Sequence, residues 1–468
     1  MTEAQKAFLK RNEVPIGIVV VVVFTLVGQL LEFHGWFTGA ESRITHFLLA
    51  TPSASSRSLP IAVIEIDDES YDEFFHHASP LEPPLVWSLI GAIATTFKPA
   101  VIGVDLLTEE TAYAAYDTFR PIPPTTPVVW AAGFRRDPVP QSVNFGEWLL
   151  GEDESMRLVP GDVLGRTPVN QSLHWGIPFF DVEADGTVRQ IRRTWTNRKG
   201  HEQKDVFARR IADVYCDAID TAPASSAVSV ETRQGCSRRK NRGATAEEFF
   251  FRASRAEPYR WTLGQLFSCG RRSDSKPCEW TSLFSDESGA KPGKDGGDKD
   301  PISLLTQTEE PPIVLLGGTY SAARDSYASL QVKGTPGLLL NARAVQIELQ
   351  GHPVFEFPRL WSVLLDIVIG CAPVMVFWFL SRPDLFHKLP LSTPKPFLEW
   401  AHDHWRRPLH KVLFGTLLLG AQIVVSVVLF RVLGSLWLSW VPALLSGFAW
   451  QSLFDTLLEG ESHSSAAT

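Results

Sequence analysis

The sequence predicts a membrane protein in which an α/β domain with a mixed sheet lies outside the cytoplasm, flanked by one N-terminal and three C-terminal transmembrane helices. Two observations predict the helices: long uncharged apolar runs lie near both ends of the chain, and lysines and arginines crowd beside them. A third predicts the domain, because between these runs short buried-strand patterns alternate with helical patterns, which is typical of α/β folds.

The N-terminal apolar run predicts a transmembrane helix over residues 14–34. Its uncharged part is close to the length that a helix needs to cross a hydrocarbon layer of about 30 Å. The alternative is a cleaved signal peptide, but the run exceeds the usual apolar core of about 7–15 residues and no A-x-A cleavage site follows it. Three further runs predict transmembrane helices over residues 358–380, 412–433 and 436–456.

The basic residues predict how these helices are oriented. Lysines and arginines lie in residues 1–13 and in the loop 381–411, and such residues favour the cytoplasmic side of a membrane. These segments and the tail 457–468 are therefore predicted to be cytoplasmic, and residues 35–357 to form a domain in the periplasm or outside the cell. This topology is that of a multi-pass protein of a bacterial inner membrane, with the lipid bilayer as a partner.

Composition and motifs exclude several functions. The net charge of -8 at pH 7 provides no basic field, so no nucleic-acid partner is expected. The chain has no convincing Ser-His-Asp or Cys-His arrangement, no H-E-x-x-H and no kinase or cyclase motif, so we predict no enzyme, no catalytic residue and no cofactor. Lone histidines such as His174 are more often structural residues than metal ligands, so no metal site is predicted.

Buried strands and helices follow one another in the domain. IAVIEID at residues 61–67 and AVIGVDLL at 100–107 indicate strands, and the helical segment 85–97 between them predicts a parallel pair with a right-handed crossover. PPIVLLGGTY at 311–320 indicates another buried strand. The remaining predicted elements are a strand at 127–134, a hairpin at Asp185-Gly186, a helix at 205–219 and a helix at 335–350.

Residues 221–310 differ from the rest of the domain in composition. They are polar and broken by Gly and Pro, which indicates an insertion into the fold. Within them, residues 286–300 (DESGAKPGKDGGDKD) lack side chains that could build a core, and they are predicted to form a flexible loop.

Four of the five cysteines fall in the predicted domain, namely Cys216, Cys236, Cys269 and Cys278. Four cysteines in an oxidising compartment permit two disulfides, and three pairings are possible. Sequence order favours Cys216 with Cys236 and Cys269 with Cys278. Zinc binding is the alternative, but neither pair has the two-residue spacing that is common in zinc sites.

Acidic residues follow the first two predicted strands. Asp67, Asp68 and Asp105 stand at the C-terminal ends of what we expect to be neighbouring parallel strands, where open α/β sheets bind ligands. Arg189 and Asp325 are candidates to pair with them, which gives a predicted ligand site of five residues. The alternative needs no ligand: Asp68 or Ser70 caps the next helix, and the other acids bond loop amides.

Two charged residues fall inside or near the predicted transmembrane helices. Asp366 and Arg431 are expected at comparable depth and could form an ion pair that couples the helices. The alternative has Arg431 reaching the interface and Asp366 bonded to Gln29 or Gln422.

Five segments in order resemble the second type of CHASE domain, the cyclase/histidine-kinase-associated sensory extracellular domain: IEIDDES, VIGVDLL, DGTVR, LLGGTYSAARD and TPGLLLNARA. The resemblance covers the ordered parts of residues 35–357 and, more loosely, the apolar helices. The chain departs from the family in PLEPPLVWSL before the first crossover helix, in the insertion, and in having no cytoplasmic effector domain. The family's acids fall on Asp67, Asp68, Asp105 and Asp325, and its hairpin on Asp185, Gly186 and Arg189.

The resemblance implies a non-enzymatic sensor or signal-transducing subunit. Its domain would bind a ligand or a protein and act through the helices on a separate protein partner, or within a homo-oligomer. The alternative is a structural or assembly subunit of a membrane protein complex.

Overall fold

The chain forms two compact units in the computed structural model. The α/β unit is Leu49–Pro353, and the helical unit combines Met1–Leu48 with Val354–Thr468. The structure describes residues 12–33, 49, 59–78, 81–106, 126–131, 133–136, 156–159, 174–180, 182, 187–196, 203–221, 228–241, 248–251, 257–269, 280–283, 310–323, 326–327, 334–350, 354–356, 359–380, 424–430 and 435–436.

The secondary structure alternates strands and helices over most of the α/β unit. The helices are α1 (Glu13–Phe33), α2 (Asp68–Phe75), α3 (Pro83–Phe97), α4 (Phe207–Thr221), α5 (Val230–Asn241), α6 (Leu263–Leu266), α7 (Gly337–Gln350) and α8 (Arg359–Leu380). The strands are β1 (Ile61–Ile66), β2 (Val101–Asp105), β3 (Val128–Ala131), β4 (Gly133–Arg136), β5 (Met156–Val159), β6 (His174–Gly176), β7 (Gln190–Arg192), β8 (Thr194–Thr196), β9 (Gln203–Asp205), β10 (Glu248–Phe250), β11 (Tyr259–Thr262), β12 (Phe267–Cys269), β13 (Trp280–Ser282), β14 (Ile313–Gly318), β15 (Ser326–Tyr327), β16 (Thr335–Pro336), β17 (Phe355–Glu356) and β18 (Ser435–Leu436).

The main sheet is parallel throughout, which corrects the prediction of a mixed sheet. Its six strands have the order β11-β1-β14-β2-β3-β6, and each neighbouring pair is parallel. Antiparallel pairs occur only in separate two-stranded ladders of the described residues, such as β7 with β10 and β12 with β13. The central strands are apolar along almost their whole length, as expected when helices bury both faces of a sheet.

The first two strands are parallel, but they are not neighbours as the sequence predicted. Strand β14 lies between them, with Ile313 level with Ile61 on one side and with Val101 on the other. The crossover pattern shows that two strands run in the same direction, but it leaves open whether a later strand enters between them. The last strand of this sheet along the chain is therefore central in it.

Helices cover both faces of the parallel sheet. On one face α2, α3 and α6 contribute to a core that includes Ala62, Ile64 and Ile66 of β1. Helices α4 and α7 cover the other face, where Gly103 of β2 leaves room for Ile211. A Cβ atom at position 103 would lie 2.5 Å from the Ile211 Cδ1 atom. The glycine thus lets α4 pack close to the sheet.

Helix α5 and strand β11 come from residues 221–310, so this insertion is part of the α/β fold. The disulfide between Cys216 and Cys236 joins α5 to α4, which is the pairing that sequence order favours. Helix α5 also approaches α7 so closely that a Cβ atom at Gly235 would lie 2.5 Å from the Leu349 carbonyl oxygen.

Changing Gly235 to alanine is expected to lower the free energy of unfolding by about 1–3 kcal/mol, because the Leu349 backbone cannot move aside easily. Gly91→Ala is the matched control, since nothing lies within 4 Å of a Cβ atom at that position in α3. That change should raise stability by about 0.5–1 kcal/mol through helix propensity. Urea unfolding followed by tryptophan fluorescence compares the two, and equal effects would contradict a tight α5–α7 contact.

A network of buried charges joins α4, α5 and α7 with the turn between β7 and β8. Glu348 of α7 accepts hydrogen bonds from Arg193 Nε at 2.8 Å and from Arg239 Nε at 3.1 Å. Arg239 also pairs with Asp213 and donates to the Arg209 carbonyl oxygen at 3.0 Å. The side chains of Arg193, Arg239 and Glu348 are 4–6% exposed. These charges are therefore stabilised by one another rather than by hydration.

The prediction of four transmembrane helices is wrong. In the part of the chain that the structure describes, no helix is both long enough and apolar enough to cross a membrane. A local apolar pattern indicates where a helix forms, but it does not by itself establish that the helix crosses a membrane. In α1 the residues Gly17, Val21, Thr25 and Gly28 form a buried stripe, and Val21 clusters with Val374 of α8.

The C-terminal part of the helical unit also differs from the prediction. Ser435 and Leu436 form strand β18, which pairs in parallel with β17, although a helix was predicted to begin at residue 436. Residues 424–430 are helical, within the predicted helix 412–433. Several predicted features lie outside the described residues: Asp185-Gly186, the loop 286–300, the loop 381–411, Cys278, Asp325 and Arg431.

Candidate functional site

The predicted acids lie at the carboxyl edge of the parallel sheet, and the first of them caps a helix. Asp67 follows β1, and its Oδ1 atom accepts a hydrogen bond from the Ser70 amide at 2.9 Å. A side-chain oxygen at this position satisfies one of the free amides at the start of α2. Asp67 is therefore the cap of α2, a role that the alternative interpretation had given to Asp68 or Ser70.

Asp68 holds the loop that follows β14. Its carboxylate accepts hydrogen bonds from the Ser321 amide at 2.8 Å and from the Ser321 hydroxyl at 2.9 Å. These two bonds favour the charged carboxylate and lower the pKa of Asp68 below its ordinary value. Because the side chain is exposed, water and solutes can compete for both bonds.

Glu65 forms a polar chain across three strands just below this edge. Its carboxylate pairs with Arg260 of β11, whose Nη2 atom donates to Oε2 at 2.8 Å. The Thr319 hydroxyl donates to the same oxygen at 3.3 Å. The Glu65 side chain is 3% exposed while that of Arg260 is 55% exposed, so the arginine links a buried carboxylate to the surface.

Asp105 ends β2 and faces helix α7. Its Oδ2 atom accepts a hydrogen bond from the Asn341 side-chain amide at 3.0 Å. Nearby, Gly317 of β14 makes room for the first turn of α7, since a Cβ atom at this position would lie 2.8 Å from Leu338 Cδ1. Helix α7 therefore begins against the carboxyl ends of β14 and β2.

Two tyrosines stack at the same edge. The rings of Tyr71 in α2 and Tyr320 after β14 are parallel, with centroids 4.2 Å apart. Burial, together with the neighbouring Tyr71 hydroxyl, raises the pKa of Tyr320. Tyr320 is therefore neutral at ordinary pH, and the stack adds an apolar contact to the polar ones.

The structure places Arg189 in a separate two-stranded ladder. It precedes β7, its carbonyl oxygen accepts the Phe251 amide at 2.7 Å, and its side chain is buried. Phe251 in turn packs against Phe180, which contacts Tyr327 of β15. Aromatic contacts thus connect Phe251, the backbone partner of Arg189, to Tyr327, which lies in the chain between β14 and α7.

The chemistry available at this edge is hydrogen bonding by carboxylates, hydroxyls and an amide. Within the described ranges, no group of three or more His, Cys, Asp or Glu residues could hold a metal ion. His174 lies on the edge strand β6, where its Nδ1 atom is 3.1 Å from Arg210 Nη2. Burial and the positive charge of Arg210 lower the pKa of His174.

The chain matches the CHASE2 domain over residues 17–378. It belongs to the CHASE2 family. The family consists of sensory extracellular domains, and the resemblance drawn from the five sequence segments is confirmed. Comparisons with curated proteins and with solved structures found no match.

The acids of this CHASE2 domain are recognisable in the sequence, whereas their partners are not. Ser321, Asn341 and Arg260 carry no local pattern that predicts contact with residues more than 150 positions away. Glu65 did carry a signal, because a single charge inside the apolar run IAVIEID must find a partner when the strand is buried.

Acid should destabilise the CHASE2 domain partly through Asp68. A carboxyl group whose pKa is lowered by folding stabilises the fold above its ordinary pKa of 3.8, and this contribution is lost as the pH falls through the folded value. Asp68→Ala should therefore lose less stability than the wild type on acidification from about pH 5 to pH 2. Urea unfolding at several pH values measures this difference.

Glu73→Ala is the matched control for that experiment. Glu73 is an exposed carboxylate on the same helix α2. Its removal should leave the acid dependence of the wild type unchanged. Identical acid dependence of the wild type and Asp68→Ala would contradict a stabilising bond to Ser321.

The predicted coupling residues belong to the helical unit. Asp366 of α8 is fully buried, and its Oδ2 atom accepts a hydrogen bond from Gln29 Nε2 of α1 at 2.8 Å. This bond is one of the alternatives considered for Asp366. Since Arg431 lies outside the described residues, an ion pair between the two charges remains a prediction.

Proposed function

We propose that the chain is a non-enzymatic sensor whose α/β unit binds a ligand or a protein at the carboxyl edge of β1, β14 and β2. One observation carries the proposal: in a member of the CHASE2 family, polar side chains from separate segments converge at this edge. Asp68 meets Ser321, and Asp105 meets Asn341. Open parallel sheets bind ligands at this edge because loops and helix starts from several strands meet there.

Disulfide chemistry supports a location outside the cytoplasm. Cys216 and Cys236 form a disulfide, and Cys269 is disulfide-bonded as well. Disulfides persist in oxidising compartments and are rare where thiols are kept reduced. The extracellular character of the family agrees with this location.

The output of the sensor is proposed to pass to a separate protein, or to a second copy of the chain. Helix α7 supports this route, since it begins at the candidate site and ends at Gln350, and the C-terminal segment of the helical unit begins at Val354. A change at the edge of the sheet can therefore reach the helical unit through one element. A ligand shifts such a system only by preferring one of its two conformations.

The proposal is tested by expressing variants in cells from which the chain has been deleted. RNA sequencing first defines the genes whose expression depends on the chain. Asp68→Ala should change the expression of these genes at unchanged protein level, whereas Glu73→Ala should behave as the wild type. If Asp68→Ala and the wild type give the same profile, the edge of the sheet is not the sensory site.

Purification after mild cross-linking tests the role of a partner. A sensor should bind its partner differently in the wild type and in Asp68→Ala, because the variant alters the signalling state. A partner that stays bound at fixed stoichiometry in both, without any change in gene expression, would instead indicate an assembly subunit.

A further inference from the structure

We infer that, given the sensory function proposed above, residues 319–323 form a latch over the carboxyl edge, and that opening of this latch frees the start of helix α7. The latch follows β14 and includes the short 3₁₀ turn Ser321–Ala323. Among the described residues, its hydrogen bonds to other segments and its ring stack are made with the segment from Glu65 to Tyr71, which contains the end of β1 and the start of α2.

The contacts of the latch are of three kinds. The Thr319 amide donates to the Ile66 carbonyl oxygen at 2.9 Å, which extends the pairing of β14 with β1 by one bond. The Thr319 hydroxyl reaches buried Glu65, and Tyr320 stacks on Tyr71. Ser321 gives both its donors to the exposed carboxylate of Asp68. The contacts become more accessible to water along the chain, so opening begins at Ser321.

The sheet beneath the latch cannot change in the same way. Ile313 to Leu316 of β14 are 0–1% exposed and are paired on both sides. Moving this strand would break two ladders of hydrogen bonds and open the core, whereas opening the latch exchanges accessible hydrogen bonds for bonds to water or to a ligand. Local opening is therefore much cheaper at the latch than in the strand that precedes it.

The residues that precede the latch and those that follow it both lie close to the start of helix α7. Before it, Gly317 contacts Leu338 in the first turn of α7. After it, β15 pairs with β16, and β16 runs directly into α7 at Gly337. The far end of α7 is fixed by the buried pairs of Glu348. Its start lies against Gly317, where β14 leads into the latch, and is joined to β2 by the bond from Asn341 to Asp105.

The length of α7 suits it to carry this change. Its 14 residues span about 21 Å, and the C-terminal segment of the helical unit begins at Val354, four residues after the helix ends. A ligand that offers a hydrogen-bond donor to Asp68, in place of Ser321, would open the latch. The expected ligand group is therefore a hydroxyl or an amine.

Hydrogen exchange measured by mass spectrometry on the full chain, without ligand, tests the latch. Ser321→Ala and Asp68→Ala should each speed exchange in peptides covering residues 319–323 at least about tenfold, and exchange in the first two turns of α7 should rise with it. Peptides from β1 and β14 should exchange as in the wild type, and Glu73→Ala should leave all peptides unchanged. Ser321→Ala removes one hydroxyl only, so it stays informative if Asp68→Ala folds poorly.

Three results would overturn the latch. Unchanged exchange at residues 319–323 would show that the contacts to Asp68 do not hold this segment. Faster exchange in β1 and β14 as well would show that the segment opens only together with the sheet. Faster exchange at residues 319–323 with an unchanged α7 would break the link to the helix. Since no ligand is used, the latch can fail while the gene-expression test still supports a sensor, and the reverse also holds.

Discussion

Replacing Glu348 with alanine is expected to lower the free energy of unfolding of the α/β unit by about 3–5 kcal/mol. Glu348 is the common acceptor of Arg193 and Arg239, and all three side chains are buried. Burial lowers the pKa of Arg239, but the hydrogen bond to Asp213 and the charges of Glu348 and Asp213 outweigh it, so the pKa is raised. Removing Glu348 leaves two guanidinium groups in a region with little water, and that desolvation cost destabilises the fold.

The measurement is equilibrium unfolding in urea, with Glu257→Ala as the control. Glu257 pairs with Arg343 at 3.2 Å, but its side chain is 68% exposed. An exposed ion pair of this kind contributes at most about 1 kcal/mol. If both variants unfold at the same urea concentration, the buried network does not stabilise the unit and serves only to orient its helices.

Removal of the Cys216–Cys236 disulfide is expected to cost about 3 kcal/mol of stability. The two cysteines are 20 positions apart, and closing a loop of that size removes entropy mainly from the unfolded chain. Both side chains are almost fully buried, so the bond is shielded from reductants in the folded state. The double variant Cys216→Ala/Cys236→Ala avoids leaving a free thiol and tests the effect directly.

Cys371→Ala is the control for the disulfide experiment, because Cys371 is a free cysteine in the helical unit. Its replacement should leave the unfolding of the α/β unit unchanged. In addition, the wild type and the double variant should have the same stability under strong reduction, because the disulfide of Cys269 is then broken in both proteins. If reduction leaves the urea midpoint of the wild type unchanged, the disulfide does not stabilise the fold by constraining the unfolded chain.

The elements that the sequence predicted are those with strong local patterns. Strands β1, β2, β3 and β14 coincide with apolar runs, and α3 and α7 lie where helical patterns were found. Helix α4 was predicted within two residues of its observed ends. In each case the pattern reflects burial of one face or of a whole strand, and burial is what local apolar spacing reports.

The errors concern features that depend on distant parts of the chain. The order of the strands was missed because β14 pairs with β1 across about 250 residues, and no local signal specifies that pairing. The edge strands β6 and β11 were missed because they have only 3 and 4 residues and contain no aliphatic run. The transmembrane prediction failed because a local apolar pattern was read as a membrane span, whereas no described helix meets the length and apolarity of one.

The candidate site was predicted only in part. The acids Asp67, Asp68 and Asp105 were placed correctly at the ends of parallel strands. Their distinct roles follow from partners that tertiary folding brings in, namely Ser70, Ser321 and Asn341. A carboxylate in a sequence therefore predicts a polar contact, while the difference between a cap, a latch and a binding group comes from the fold.

The central position of β14 affects how the chain folds while it is being synthesised. Residues 61–66 leave the ribosome long before residues 313–318, yet these segments must pair to complete the middle of the sheet. Until then β1 and β2 each present an open apolar edge, which is an opportunity for misassociation during synthesis. Pairing over such a sequence distance also slows folding. Nascent chains of this protein should therefore depend on chaperones until β14 has been translated.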